Sequence, residues 1–269
     1  MPDQYAVIGN PVAHSKSPLI HAAFARQTGQ DLIYGTLLAP KDAFAATADA
    51  FRARGGRGLN VTLPFKSEAC RYATVLSARA RAAQAANTLK FDGAAILADN
   101  TDGAGLVNDL LHNLGFAIAG RRILLLGAGG AARGVLEPLL QQRPAQFMLA
   151  NRTPDKAQQL AQSVHGAIEA GAYTALAGRQ FDLVINATSA SLAGELPPLP
   201  SGVFAPGALA YDMMYGKGET PFLVFAREQG AARSADGLGM LVEQAAESFF
   251  IWRGVRPDSA AVLQLLRQV

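Results

Sequence analysis

One cysteine, Cys70, is too few for an intramolecular disulfide in a chain of 269 residues, so no covalent staple supports the fold. The four histidines are scattered without HxxxH or comparable spacing, which leaves no metal site to expect. No apolar run approaches the ~18 residues that a membrane span requires, and no charged segment leads into an apolar stretch at the start of the chain; a cytoplasmic protein without membrane contact is expected. Lysine and arginine exceed aspartate and glutamate only slightly, 24 against 21, and they are dispersed rather than interleaved with aromatics. Nucleic acid is therefore not an expected partner, whereas the mildly positive balance favours a small anionic molecule.

What is present is a chain that is 50% hydrophobic and 17% charged, enough to bury a full core in one large domain or two ordinary ones. Short apolar runs alternate with longer amphipathic segments, which predicts an α/β architecture with mostly parallel strands. "QYAVIG" reads as a strand and "SPLIHAAFARQTG" as a helix with Ser17 as its cap, Pro18 first and Gly29 as its stop. "LIYGTLL", a helix through "KDAFAATADAFRARGG" and the strand "GLNVTL" follow. Asp92-Gly93 between two apolar runs predicts a hairpin, and "DGAGLVNDLLHN" has helical spacing up to Gly115. From "RRILLLGAGG" onwards a second set begins, with further strands in "AQFMLA", "FDLVINAT" and "GALAYDMMY". Thr153 would cap the helix that Pro154 opens, and the end of the chain is helical with Leu241, Ala245 and Phe249 on one stripe.

Gly127-Ala128-Gly129-Gly130-Ala131-Ala132 fits GxGxxG/A, follows a buried strand and opens a helix, a context in which free N–H groups and the helix dipole can meet a pyrophosphate. An acidic residue about twenty positions on usually holds the ribose of NAD. The next strand ends instead in Asn151-Arg152-Thr153, with Lys156 one turn on. A guanidinium binds a 2′-phosphate by forked hydrogen bonds, so NADP is expected. The competing reading makes Arg152 and Lys156 surface charges and gives the ribose to Asp155.

A polar constellation occupies the first half. Alternation puts Asn60 and Thr62 of "NVTLPFK" on one strand face, and Pro64 as the first helical residue would make Lys66 third in its turn, where a cation opposes the dipole. Ser15 and Ser17 precede a helix N-terminus and could hold a carboxylate, or Ser17 is an ordinary cap and Ser15 incidental. Asn87-Thr88 and Asp99-Asn100-Thr101-Asp102 lie at strand ends, where open α/β sheets place ligands. Lys66 and Asp102 are the one complementary charged pair among these candidates. A redox step at a secondary alcohol needs such a donor or cation beside the oxygen.

With these motifs assembled, the sequence strongly resembles the shikimate dehydrogenase family along essentially its whole length. "GNPVAHSKSPLIHAAF", "LNVTLPFKSEA", "DNTDGAGL", "LLGAGGAARG", "NRTPDKA", "YDMMYGKGETPFL" and "ADGLGMLVEQAA" occur in the family's order. The resemblance implies NADP-dependent, reversible reduction of 3-dehydroshikimate to shikimate on the route to chorismate and aromatic amino acids. It implies a mostly parallel α/β substrate domain (residues 1–102 and 238–269), a Rossmann-type NADP domain (103–237) and a cleft between them, in a monomer or homodimer. Lys66 and Asp102 would be the catalytic pair. Ser15, Ser17 and Tyr215 would face the substrate carboxylate, and Asn60, Thr62, Lys66, Asn87, Asp102 and Gln244 the ring and its hydroxyls. Gly127, Ala128, Gly129, Gly130 and Ala131 would receive the pyrophosphate, and Asn151, Arg152, Thr153 and Lys156 the adenosine end. Thr188, Ser189, Met213 and Gly237 would line the ribose and nicotinamide. The chain departs from the family pattern at Lys217 and in the basic "ARARAAQ" before Asn87. Two other readings compete: a quinate/shikimate dehydrogenase with relaxed substrate or cofactor use, and a non-catalytic ligand sensor, which would be expected to have lost Lys66 or Asp102.

Overall fold

A computed structural model describes residues 1–164, 166–188, 195–216 and 218–268. The chain divides into two compact units, Met1–Gly105 with Leu241–Val269, and Leu106–Met240. The division falls within helices, three residues later than 102/103 and 237/238 at each crossing, because the helical runs that begin at Asp102 and Leu238 continue through it.

In the first unit the order is β1 (Asp3–Gly9), α1 (Ser17–Thr28), β2 (Leu32–Leu38), α2 (Phe44–Ala53), β3 (Gly56–Val61), α3 (Lys66–Tyr72), β4 (Val75–Leu76), α4 (Ala78–Ala83), β5 (Thr88–Asp92), β6 (Ala95–Asp99) and the start of α5 (Asp102–Asn108). Its sheet runs β2-β1-β3-β5-β6-β4, parallel on the β1 side and antiparallel through the β5/β6 hairpin. Gly93 takes the left-handed φ of +57° that the hairpin turn needs. Ile8, Leu59, Phe44, Phe65 and Leu89 form the core of this unit.

Two helix starts differ from expectation. Ser17 is inside α1 rather than its cap: Lys16 takes the N-cap position and its carbonyl accepts from Ile20 N–H at 3.1 Å. Pro64 does not open α3. Thr62 to Phe65 first make a turn closed by Phe65 N–H to the Thr62 carbonyl at 3.0 Å, Phe65 inserts into the core against Phe44, and Lys66 is the first helical residue.

After α5 comes one wider turn, Asp109–Asn113, where a continuous helix was expected; buried Asp109 there accepts from Tyr211 Oη at 2.7 Å. The second unit continues with β7 (Arg122–Leu126), α6 (Gly130–Leu140), β8 (Gln146–Ala150), α7 (Pro154–Gln162), β9 (Glu169–Gly171), β10 (Phe181–Asn186), β11 (Phe204–Asp212), α8 (Pro221–Glu228), β12 (Arg233–Ala235) and the beginning of α9 (Leu238–Arg253). Thr153 caps α7 by position without a side-chain hydrogen bond. The sheet is wholly parallel in the order β12-β11-β10-β7-β8-β9, with apolar clusters on both faces, around Leu125 and Ile185 and around Leu124 and Val184. Strand order reverses between β7 and β10, the place where such sheets take ligands. The rest of α9 and α10 (Ser259–Arg267) belong to the first unit, and Ala245 and Phe249 are fully buried.

Candidate active site

In the first unit, four chain segments bring polar side chains together. Lys66 opens α3, Asn87 precedes β5, Asp102 opens α5 and Gln244 lies on α9. Lys66 Nζ donates to Asp102 Oδ2 at 2.6 Å, with the lysine side chain 30% exposed and the carboxylate 10%. The start of α3 is tied to the segment that leads into β5, because Ala86 N–H donates to the Lys66 carbonyl at 2.8 Å. Asn87 Nδ2 donates to Asp102 Oδ1 at 2.8 Å and lies 3.1 Å from Gln244 Oε1. Asp102 N–H donates to Asn100 Oδ1 at 3.1 Å. A carboxylate this enclosed is costly unless paired and hydrogen-bonded, and here each oxygen has its own donor.

Asn60 is 6% exposed and its amide faces protein on both sides. Its Oδ1 accepts from Tyr34 Oη at 2.7 Å and faces His21 Nε2 at 3.1 Å, while Nδ2 donates to the Asn87 carbonyl at 3.1 Å and to Ser248 Oγ at 3.0 Å. Thr62 follows the last residue of β3, so the pleat does not set its side-chain direction; its N–H donates to the Ile8 carbonyl at 3.0 Å. Ser15 Oγ accepts from Ser17 N–H at 3.2 Å, which leaves the Ser15 O–H available as a donor. Ser15, one residue before the Lys16 N-cap, thus serves a free N–H at the start of α1, while the Ser17 side chain is buried and caps nothing. His21 behind Asn60 is fully buried and stacked on Tyr34 at 4.2 Å between ring centroids. Burial pushes its pKa down to about 3, and the hydrogen bond to Asn60 opposes that only in part.

In the second unit, Gly127 leaves β7 with a φ of +103°, and a Cβ there would meet Thr188 Cγ2 at 3.1 Å and the Ala187 carbonyl carbon at 3.3 Å. Glycine is required on both counts. Its own N–H is committed to the Ala150 carbonyl at 2.8 Å, so the donors left at the turn are those of the first turn of α6, after Ala128 and Gly129 and at Gly130 and Ala131. Gly129 and Gly130 face open space. Asn151 Nδ2 donates to the Thr153 carbonyl at 2.9 Å and shapes the turn that carries Arg152, which is exposed, as is Lys156. Tyr173 is close enough for the Arg152 charge to oppose the upward push that burial gives its phenol. Thr188 Oγ1 donates to Asn186 Oδ1 at 2.7 Å, and Met213 N–H to the Asn186 carbonyl at 2.9 Å. Gly237 packs directly on the Met213 carbonyl, where no side chain fits. Tyr215 is half-buried in this unit, and burial raises its phenol pKa. Ser189 and Lys217 lie outside the described residues.

Sequence reasoning placed Thr88 and Thr101 in the first constellation without giving them a role, and it passed over Ser248; all three hydroxyls are buried. Signals were present: Thr88 and Thr101 adjoin Asn87 and Asp102, and Ser248 follows Gln244 by one helical turn.

Three family models match the chain: a shikimate dehydrogenase substrate binding domain over residues 7–89, a shikimate/quinate 5-dehydrogenase over 109–193, and a shikimate 5′-dehydrogenase C-terminal domain over 237–267. The chain is 63% identical over 269 residues to a shikimate dehydrogenase (NADP(+)) of Nitrosospira multiformis, covering 99% of this chain and 98% of that one. Among solved structures, an Ael1 enzyme from Pseudomonas putida is similar at 54% identity with a TM-score of 0.94, covering 98% of each chain. A shikimate 5-dehydrogenase from Thermus thermophilus, solved with NADP(H) and shikimate, is similar at 31% identity with a TM-score of 0.88, covering 99% of each chain.

Proposed function

The chain belongs to the shikimate dehydrogenase family, and from that premise we propose that it catalyses the reversible, NADP-dependent interconversion of 3-dehydroshikimate and shikimate on the route to chorismate and aromatic amino acids. The observation that carries the site assignment is the Lys66–Asp102 pair, 2.6 Å apart at the edge of a polar cluster and partly open to solvent. NADP, when bound, takes the hydride from the secondary alcohol carbon of shikimate or returns it to the ketone. The residues of this chain handle the proton. With the ring ketone oxygen against Lys66, the ammonium would stabilise the alkoxide-like oxygen that develops on reduction and deliver a proton to it; in oxidation the shikimate hydroxyl occupies the same place and gives its proton to the lysine amine. Asp102 holds the ammonium in place, and Asn87 holds Asp102. Gln244 and Thr62 are assigned to the ring hydroxyls, and Ser15 and Ser17, at the N-terminus of α1, to the carboxylate.

The first unit is the substrate domain in this reading and the second the NADP domain. The fit to NADP rests on a left-handed glycine at the β7/β10 switch point, an open glycine pair at the start of α6, and an exposed arginine where β8 ends. We assign the pyrophosphate to the turn from Ala128 to Ala131, the 2′-phosphate to Arg152 with Lys156, and the nicotinamide end to Thr188, Met213 and Gly237. The residues assigned to the substrate ring come from one chain, so a monomer completes them and a homodimer is compatible. Cytoplasmic residence fits the cofactor pool, and no described helix is long and apolar enough to cross a membrane. Lys66→Ala tests the assignment: turnover of shikimate with NADP should fall by orders of magnitude while shikimate binding, read by calorimetry, changes far less. Near-normal turnover would remove Lys66 from the chemistry.

A further inference from the structure

The Lys66–Asp102 pair is the visible end of a longer series of hydrogen bonds, and the direction of several can be worked out from groups that have no choice. Backbone N–H groups only donate and carbonyls only accept. Thr101 N–H lies 2.9 Å from Asn87 Oδ1, so that atom is the amide oxygen and Asn87 must present its NH2 to Asp102 Oδ1. Asn60 Nδ2 lies 3.1 Å from the Asn87 carbonyl, so the Asn60 amide is fixed too, with its NH2 towards Ser248 Oγ and its oxygen towards Tyr34. Ser248 therefore accepts from Asn60, and its own proton must go elsewhere.

The nearest acceptor is Thr88 Oγ1 at 2.7 Å, closer than the Gln244 carbonyl at 3.0 Å, which Thr101 Oγ1 also reaches at 3.0 Å. That carbonyl can accept from both hydroxyls, and either partner can donate across the Ser248–Thr88 contact; we take Ser248 as the donor to Thr88, its nearest acceptor, which leaves Thr88 to donate to Asn87 Oδ1 at 3.0 Å. Each of these side chains is buried, Ser248 completely. The result is a connected series, Tyr34 to Asn60 to Ser248 to Thr88 to Asn87 to Asp102, with Thr101 and Gln244 as side branches on Asn87. Such series strengthen cooperatively and lose more than one bond when a member is removed.

We propose that Ser248, with Thr88, is a positioning residue of the reaction: alongside the Thr101 N–H that sets the orientation of the Asn87 amide, it holds that amide in place, and through it one oxygen of Asp102, so that the other faces Lys66. This rests on the assignment of Lys66 and Asp102 to shikimate chemistry made above. Ser248 touches no reacting atom. It sits on α9 one turn from Gln244, and through Asn60 and Thr88 it also ties that helix to β3 and β5.

Ser248→Ala leaves Thr88 free to turn its proton away from Asn87, and Thr88→Val removes the last hydroxyl before Asn87. Each should lower kcat for shikimate oxidation about tenfold, the factor that corresponds to one lost buried hydrogen bond, with a smaller change in KM. The discriminating measurement is a double-mutant cycle: in an Asn87→Ala background, Ser248→Ala and Thr88→Val should each cost nothing further in kcat. Full additivity in that background overturns the proposal, since a merely structural role would persist. Should Ser248→Ala fail to fold, the Thr88→Val cycle decides alone. A second readout separates this proposal from the assignment of function. The side-chain amide protons of Asn87, identified by their absence in Asn87→Ala, should give two sharp, slowly exchanging NMR signals that broaden in Ser248→Ala or Thr88→Val. Wild type inactive on shikimate would sink the assigned function while these signals still judged whether Ser248 and Thr88 hold Asn87, and signals unchanged in both variants would overturn that role.

Discussion

Lowering the pH should destabilise the first unit through one residue, His21, and the size of the effect follows from its surroundings. The imidazole is wholly enclosed by Phe24, Tyr34, Phe249 and Trp252, with Asn60 as its hydrogen-bond partner. None of these neighbours supplies a counter-charge, and burial has pushed the Tyr34 phenol well above its ordinary range. The folded protein therefore resists protonating His21 until a pH of about 3, whereas in the unfolded chain the same ring binds a proton near pH 6.5. Because the folded value is the depressed one, the unfolded state binds the extra proton between those limits. Stability is complete above about pH 6.5 and is lost as pH falls towards about 3. At about pH 4.5 the loss from this residue is on the order of 3 kcal/mol, a sizeable part of the stability of a typical domain. The single tryptophan, Trp252, lies with its ring centroid 5.3 Å from that of His21 and reports unfolding of the same unit by fluorescence. Urea titrations of wild type and His21→Gln between about pH 7.5 and about pH 4.5 should diverge by this amount, with the glutamine variant, which still donates to Asn60, showing the shallower dependence. Parallel curves would refute the claim that His21 is buried neutral.

Two further outcomes follow from the geometry. Arg152→Ala should weaken NADP by about ten- to a hundredfold, the worth of a charge-assisted bond, and leave NAD nearly unchanged; equal losses in titrations with the two cofactors would show that Arg152 does not read the 2′-phosphate. Gly58→Ala should destabilise the protein by about 1–3 kcal/mol in the same urea assay, because the new methyl would lie 2.5 Å from Trp252 Nε1 and 2.7 Å from the Leu89 carbonyl, the two atoms joined by the Trp252 hydrogen bond.

Much of the architecture was legible because the signals were local. Four of the strands in the second sheet are apolar runs buried on both faces, and the Asp92-Gly93 hairpin announces itself by turn chemistry. The short pieces were not legible. β4 has two residues, β9 reads Glu-Ala-Gly, and β12 reads Arg-Ser-Ala; each exists because a longer neighbour offers it hydrogen bonds, which no pattern within three residues can encode. The misplacement of the α3 start has the same origin. Pro64 is a good first helical residue, yet Phe65 is drawn into the core, and that tertiary demand moves the helix start to Lys66. A cation then stands at the very first helical position, and Asp102, from a distant part of the chain, supplies the charge that the local dipole does not.

The candidate site shows the same limit from the other side. Lys66, Asn87, Asp102 and Gln244 could be named from motifs, and they are found within hydrogen-bonding reach of one another. The one local sign of Ser248 is its place a helical turn after Gln244, which many small residues on a buried helix face share. Its importance arises only where α9 meets the ends of β3 and β5, and the orientation of two asparagine amides can be settled only once their backbone partners are known.

The most direct test of the account is an absorbance assay of the purified protein with shikimate or quinate and NADP or NAD, in all four combinations. Shikimate with NADP should reduce the cofactor fastest, with NAD a poor substitute. No cofactor reduction by shikimate, or NAD used as well as NADP, would contradict the account.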